Sequence, residues 1–264
     1  KDVLKRQYER ENARVVVNDL GVKYDYKVVD GELEKKKTSK RILDNVDDEN
    51  NTTENQGKPN KATEYYVSGE GMWINRYLRN PSKYVQDYGT LSESDKKIIE
   101  QLDLATKGEI GETTLYRSVD AKAIFGDIKN TDYEWLKTYL NSGEKAFDKG
   151  AYSQNILSKT KSIIDGVEDK VIVERGFMST TKDREIAENW EDFSGAEMPV
   201  VMKIKTNENT KGVDVSIYDK KVEPEEAQKE VLLARNQTIK ITKISFSKNY
   251  NIVVECELLD KEKK

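Results

Sequence analysis

The sequence predicts an α+β protein whose sheets are mostly antiparallel. Bulky residues at helical spacings dominate from about Thr63 to Leu140, and strand-forming runs dominate from Val171 onward. Helices first and strands after argue for α+β rather than alternating βαβ units. A late run, Ile239-Lys240-Ile241-Thr242-Lys243-Ile244, alternates as a sheet with one wet face does.

The elements follow in chain order. Lys1 to Leu20 is highly charged, with Val3, Leu4, Tyr8 and Val15 giving a weak helical stripe. From Asp30 to Lys61 the chain is mostly Lys, Asp, Glu, Asn and Thr. Such a stretch buries too little apolar surface to offset its ordering entropy and reads as a linker. Residues 1–62 are therefore expected to be a charged, partly disordered extension or linker, and residues 63–260 the folded domain. Met72, Trp73, Ile74, Tyr77 and Leu78 predict a helix stopped by Asn80-Pro81. Ser92-Glu93-Ser94-Asp95 predicts the start of the next, and Tyr133 to Leu140 another, ended near Gly143. Predicted strands are Thr114–Val119, Val171–Val173, Ser179–Thr181, Val200–Ile204, Val213–Ile217, Val231–Leu233, Ile239–Phe246 and Tyr250–Leu258, with a helix from Asp183 past Trp190.

Composition narrows the chemistry. The 264 residues are 36% apolar and 36% charged, with a net charge of −4, so no basic excess points to nucleic acid or an anionic membrane. There is no histidine, which excludes Ser-His-Asp and Cys-His catalysis and the usual zinc sites. Acid–base work must fall to carboxylates, Lys or Tyr. The one cysteine, Cys256, sits in an apolar strand and reads as a core residue. No apolar stretch approaches the roughly 20 residues of a membrane span. The chain opens on Lys1-Asp2-Val3. It is expected to be a processed or excised piece, its secretion or delivery region lying elsewhere.

The most informative segment is Gln228-Lys229-Glu230 followed by Val231-Leu232-Leu233. In a strand, alternate residues share a face, so Gln228 and Glu230 are expected to reach one cleft while Lys229 points away. Glu223-Pro224-Glu225 has a similar form, but no buried strand follows it. Two further segments precede it in order: Tyr116-Arg117-Ser118, and Gly176-Phe177-Met178-Ser179-Thr180-Thr181. A helix pattern, Ile74-Asn75-Arg76-Tyr77-Leu78-Arg79, comes earlier.

These four segments together resemble the Arg-Ser-Glu class of mono-ADP-ribosyltransferase toxins, and most of all the Rho-modifying clostridial exoenzymes of Gln-x-Glu type. The resemblance runs from about Thr63 to Leu259. It implies two packed, mostly antiparallel sheets around an NAD cleft, with flanking helices. It departs from the family in Thr181, where a serine is usual, and in Ala234, where proline is common. It departs again in Gly71, where an aromatic often stands; Tyr65 or Tyr66 is expected to supply that ring.

The resemblance also implies roles. NAD is the substrate, and no metal is needed. Glu230 would stabilise the oxocarbenium-like transition state through the ribose 2′-hydroxyl. Ser179 would fix the Glu230 rotamer, and Thr181 would support the sheet. Arg117 would bind the NAD phosphates through its forked donors. Gly176 would let backbone approach the nicotinamide amide. Gln228 would face the acceptor, tilted toward Asn or Gln because an amide both donates and accepts, with arginine still open. The loop from Ile217 to Ala227 would present a protein acceptor, such as a small GTPase, with Tyr218 as its aromatic contact. Phe193 reads as a core aromatic or a ring near the cofactor. The expected protein is secreted or delivered into a host cell. Two alternatives stay open: a non-enzymatic binding module on a toxin scaffold, and an NAD glycohydrolase without a protein target.

Overall fold

A computed structural model describes residues 56–189, 197–221, 227–249 and 251–260, together with strands at 15–19, 22–29 and 32–37. The chain divides into two compact units, Lys1–Asn50 and Asn51–Lys264. Trp190, Phe193, Glu223, Pro224, Glu225 and Tyr250 lie outside the described residues.

The first unit holds a three-stranded antiparallel sheet of β1 (Val15–Asp19), β2 (Val22–Val29) and β3 (Glu32–Lys37). β3 differs from the expected linker beyond Asp30, while Val3, Leu4 and Tyr8 of the expected helical stripe lie outside the described residues. β3 pairs with β2, where Tyr24, Tyr26 and Val28 alternate with Lys23, Asp25 and Lys27. That is the period of a strand, not of a helix.

The second unit opens on helices. α1 (Lys61–Tyr65) starts on a reciprocal capping box between Asn60 and Thr63. A π-helical turn follows, with Gly69 at φ 100°, and leads into α2 (Gly71–Arg79). A Cβ at Gly71 would stand 2.6 Å from the Tyr66 ring. Tyr66 thus fills the space of the expected aromatic, but as a buried residue packed edge-on against Phe177. α3 (Pro81–Tyr88) begins where Asn80-Pro81 ends α2, with proline at its first turn. α4 (Glu93–Ala105) is capped by Ser92, and buries Ile98, Ile99 and Leu102.

After β4 (Thr114–Asp120) come α5 (Ala121–Phe125), α6 (Asn130–Ser142) and α7 (Ala151–Asp165). The remaining elements are β5 (Val171–Glu174), β6 (Met178–Thr181), α8 (Arg184–Glu188), β7 (Pro199–Lys205), β8 (Gly212–Asp214), β9 (Glu230–Leu233), β10 (Gln237–Phe246) and β11 (Ile252–Leu259). β8 is shorter than the expected strand, because the chain turns into a 3₁₀ helix at Ser216–Lys221. α8 ends at Glu188, short of the expected Trp190.

Strands β4 to β11 hydrogen-bond into one eight-stranded sheet, in the order β5-β10-β11-β7-β4-β6-β9-β8. The two expected sheets are therefore continuous in their pairing. Only β7–β11 among the paired strands is parallel. The core gathers Leu115, Met178, Met202, Ile204, Val231, Leu233, Ile239, Val254 and Cys256 with Ile124, Tyr133 and Leu136 from the helices. A register shift between Ile241 and Lys243 lets Ile239, Ile241 and Ile244 all stay buried. Burial pushes the Cys256 thiol up to about 12. Among the described residues, no helix is long and apolar enough to cross a membrane.

Candidate active site

The site is built on adjacent strands. β6 pairs antiparallel with β9, setting Ser179 opposite Leu232 and Thr181 opposite Glu230. Ser179 and Glu230 are then diagonal neighbours on one face. The Ser179 hydroxyl donates a hydrogen bond to Glu230 Oε1. Glu230 is buried at the strand entrance. Burial holds its carboxyl above the ordinary range. The Ser179 hydrogen bond and the Arg117 charge oppose that rise, and the Asp219 charge adds to it.

β4 lies on the other side of β6. Arg117 on β4 donates weakly to the Ser179 carbonyl at 3.4 Å. Burial lowers its guanidinium below the usual value. Arg117, Ser179, Gln228 and Glu230 line one cavity of about 120 Å³, closed on one side by Ile186 and Ala187 of α8. Arg117 and Ser118 also line a second cavity of about 910 Å³, with Arg79, Arg175 and an apolar floor including Ile172, Met178 and Met202. Thus all four predicted polar residues of the cleft come together.

Gln228 arrives there by a route the strand argument did not anticipate. β9 begins at Glu230, and Lys229 takes a left-handed backbone at φ 47°. The two residues share the cavity through a turn, not through strand alternation. Thr181 does brace this turn: its hydroxyl donates to the Gln228 carbonyl at 2.7 Å and accepts from Asp183 N–H at 3.0 Å. Thr180 similarly donates to the Val231 carbonyl at 2.6 Å.

The serine strand is aimed by residues whose roles the sequence did not reveal. Asn75 Nδ2 donates to the Phe177 carbonyl (2.9 Å), and Asn75 Oδ1 accepts from Phe177 N–H (2.8 Å). The amide therefore grips Phe177 as a neighbouring strand would. Asn75 Nδ2 also donates to the Tyr66 hydroxyl at 2.7 Å, and that hydroxyl reaches the Phe177 carbonyl at 3.2 Å. Burial pushes the Tyr66 phenol up to about 12. A Cβ at Gly176 would meet Asn75 Oδ1 at 2.5 Å. The glycine is thus required by Asn75, whatever it also allows a ligand. Gly176 N–H donates to Glu174 Oε1 at 2.8 Å, and Glu174 in turn holds Arg79 through two bonds of 2.9 Å. Asn75 and Arg79 stand in the predicted helix pattern, and that pattern was the one available signal.

Tyr218 does not stand free as the expected acceptor contact. Its hydroxyl donates to the Asn60 carbonyl at 2.8 Å and lies 2.9 Å from Thr63 Oγ1. The apolar side chain presented there is its neighbour Ile217, 54% exposed. Among the described residues, no group of three His, Cys, Asp or Glu could hold a metal ion.

A model of the ADP-ribosyltransferase exoenzyme family matches residues 24–261. Among solved structures, the ADP-ribosylating toxin BECa of a C. perfringens binary enterotoxin, with NADH, is 16% identical. The match covers 90% of this chain and 57% of that one at a TM-score of 0.50, a likeness of fold. C3stau2 from S. aureus with NAD is 19% identical over 76% of this chain and 95% of that one (TM-score 0.46). C3larvin toxin from Paenibacillus larvae is 23% identical over 76% and 86% (TM-score 0.46). No curated protein sequence matches. The family match spans most of the chain and all four predicted segments, so this chain belongs to the ADP-ribosyltransferase exoenzyme family and is an NAD-dependent mono-ADP-ribosyltransferase, with NAD as its substrate.

Proposed function

We propose that the chain transfers ADP-ribose to an Asn or Gln side chain of a protein, and that it is secreted or delivered into a host cell to do so. The observation that carries this reading is the cavity shared by Gln228 and Glu230, with Ser179 bonded to the carboxylate. In the reaction the bond between ribose C1′ and the nicotinamide nitrogen breaks, and its electron pair leaves with nicotinamide. Positive charge grows on the ribose ring. The Glu230 carboxylate accepts from the 2′-hydroxyl and stabilises that charge more in the transition state than in bound NAD. Ser179 holds the carboxylate in one orientation. Arg117, at the border of the two cavities, takes the phosphates, with Arg175 also lining the larger cavity, where Arg79 is paired to Glu174. Gly176, which has no Cβ, would offer its own carbonyl to the nicotinamide amide, since its N–H is taken by Glu174 and both Phe177 backbone groups by Asn75.

On the opposite side Gln228 pairs with the acceptor. A side-chain amide can donate to the carbonyl of an Asn or Gln and accept from its N–H, which turns the acceptor nitrogen toward C1′. That nitrogen forms the new bond to C1′ and loses a proton. A glutamate at 228 would instead favour a guanidinium. A small GTPase is the acceptor class that the Gln-x-Glu pattern suggests. Incubation of a eukaryotic lysate with NAD and this chain, followed by mass spectrometry, tests the reading. Expected is ADP-ribose on an Asn or Gln. Labelling confined to arginine would overturn the amide assignment. NAD consumption with no labelled protein would favour the glycohydrolase reading.

A further inference from the structure

Gln228 and Lys229 lie outside the strand that carries Glu230, and Lys229 is held at φ 47°. A left-handed backbone at a non-glycine residue is strained, so neighbours must hold it. Four contacts do. Thr181 donates to the Gln228 carbonyl, and Lys182 N–H donates to the Lys229 carbonyl at 3.3 Å. Lys229 Nζ pairs with Asp183 at 2.7 Å. Both amide N–H groups go to a single carboxylate: Gln228 N–H to Asp219 Oδ1 at 3.1 Å and Lys229 N–H to Asp219 Oδ2 at 2.9 Å. A carboxylate taking two consecutive amides is a charge-assisted and geometrically specific grip.

Asp219 is itself fixed from elsewhere. It sits in the 3₁₀ turn Ser216–Lys221. That turn is tied at its start, where the Ser216 N–H and hydroxyl both donate to Asp214 Oδ1 (3.0 and 2.6 Å). The Tyr218 hydroxyl ties it to Asn60, the cap of α1. The brace is therefore delivered by a turn with anchors of its own, at Asp214 and Asn60.

The geometry points to Asp219 as a positioning residue that sets where the Gln228 side chain meets the acceptor, and so tunes protein transfer more than NAD cleavage, which feels it only through its charge near Glu230. Asp219 is assigned no contact with the reacting atoms; it acts through the Gln228-Lys229 backbone. The inference rests on the acceptor-facing role of Gln228 proposed above. Its converse is a rule for the acceptor side: specificity at 228 depends on the turn that carries Asp219 as well as on the residue at 228.

The test compares wild type, Asp219→Ala and Asp219→Asn for NAD hydrolysis without acceptor and for labelling of a lysate protein. A displaced hydrogen-bonding side chain loses at most what it contributes, so in Asp219→Ala the ratio of transfer to hydrolysis is expected to fall several-fold, up to about the tenfold of removing the Gln228 side chain itself. Asp219→Asn keeps one accepting oxygen and should recover part of the ratio. Hydrogen exchange at the Gln228 and Lys229 amides should quicken in Asp219→Ala while β9 amides stay protected. Equal loss of both activities, or unchanged amide exchange, would overturn the inference. A wild-type chain that cleaves NAD but labels no protein would remove the acceptor reading and this inference with it, whereas an active wild type with an unchanged ratio in Asp219→Ala would remove the inference alone.

Discussion

The two sides of the small cavity are built on different principles. Ser179 and Glu230 stand on paired strands, and their separation follows from register. Gln228 stands on a turn with one left-handed residue, held by three side chains, Thr181, Asp183 and Asp219, from two other segments. A strand pair cannot shift by one residue without turning every side chain to the other face. A braced turn can be altered locally. The contrast teaches how such a protein can keep the NAD chemistry fixed while the side proposed to meet the acceptor varies.

The sharpest way to break this comparison is at its rigid side. Glu230→Gln is expected to lower hydrolysis and transfer together by about 10²–10³-fold, the scale of removing one preorganised electrostatic group. The same change should raise thermal stability at neutral pH. The sign follows from the carboxyl being held above its ordinary range. A group raised on folding favours the native state below its unfolded value and loses that contribution as pH rises through the folded value. The amide removes that loss, so the gain in melting temperature should vanish on acidification below the ordinary carboxylate range. Melting curves at several pH values check this; a loss of stability at neutral pH would contradict it.

A smaller, one-sided effect is expected on the turn. Gln228→Ala removes one hydrogen-bonding group and should reduce protein transfer about tenfold, the equivalent of one net hydrogen bond. Hydrolysis should persist, and parallel assays of the two activities read the split. The least effect on rate, but a clear one on stability, is expected at the support of the serine strand. Asn75→Ala leaves the Phe177 N–H without its partner in a buried setting, which costs about 1–3 kcal/mol. Urea denaturation measures it, and an unchanged midpoint would show that Asn75 does not carry the Phe177 turn.

The same contrast explains what could be read from the residues alone. Glu230 was legible because an apolar strand follows it directly, and Ser179 because it lies in a strand with a hydroxyl pattern. The arrival of Gln228 in the cavity was expected for a different reason from the observed one, since strand spacing does not reveal a left-handed residue. Asp219 was illegible: it stands nine residues before the Gln228 it grips, in a charged stretch like any surface acid. The Gly176–Asn75 contact joins segments 102 residues apart in its neighbouring Phe177 bond, beyond the reach of periodicity. α7 escaped notice because Leu157 and Thr160 are its buried residues, too few for a visible stripe. The strands of the first unit were readable in principle, from the Tyr and Val alternation of β2, and high charge masked them.

Cys256 carries a last consequence. Within this chain it has no partner thiol, it is buried in β11, and its proton is held tightly. The thiolate is the form that oxidants attack. Passage between an oxidising exterior and a reducing cell interior is therefore expected to leave Cys256 a buried thiol on both sides.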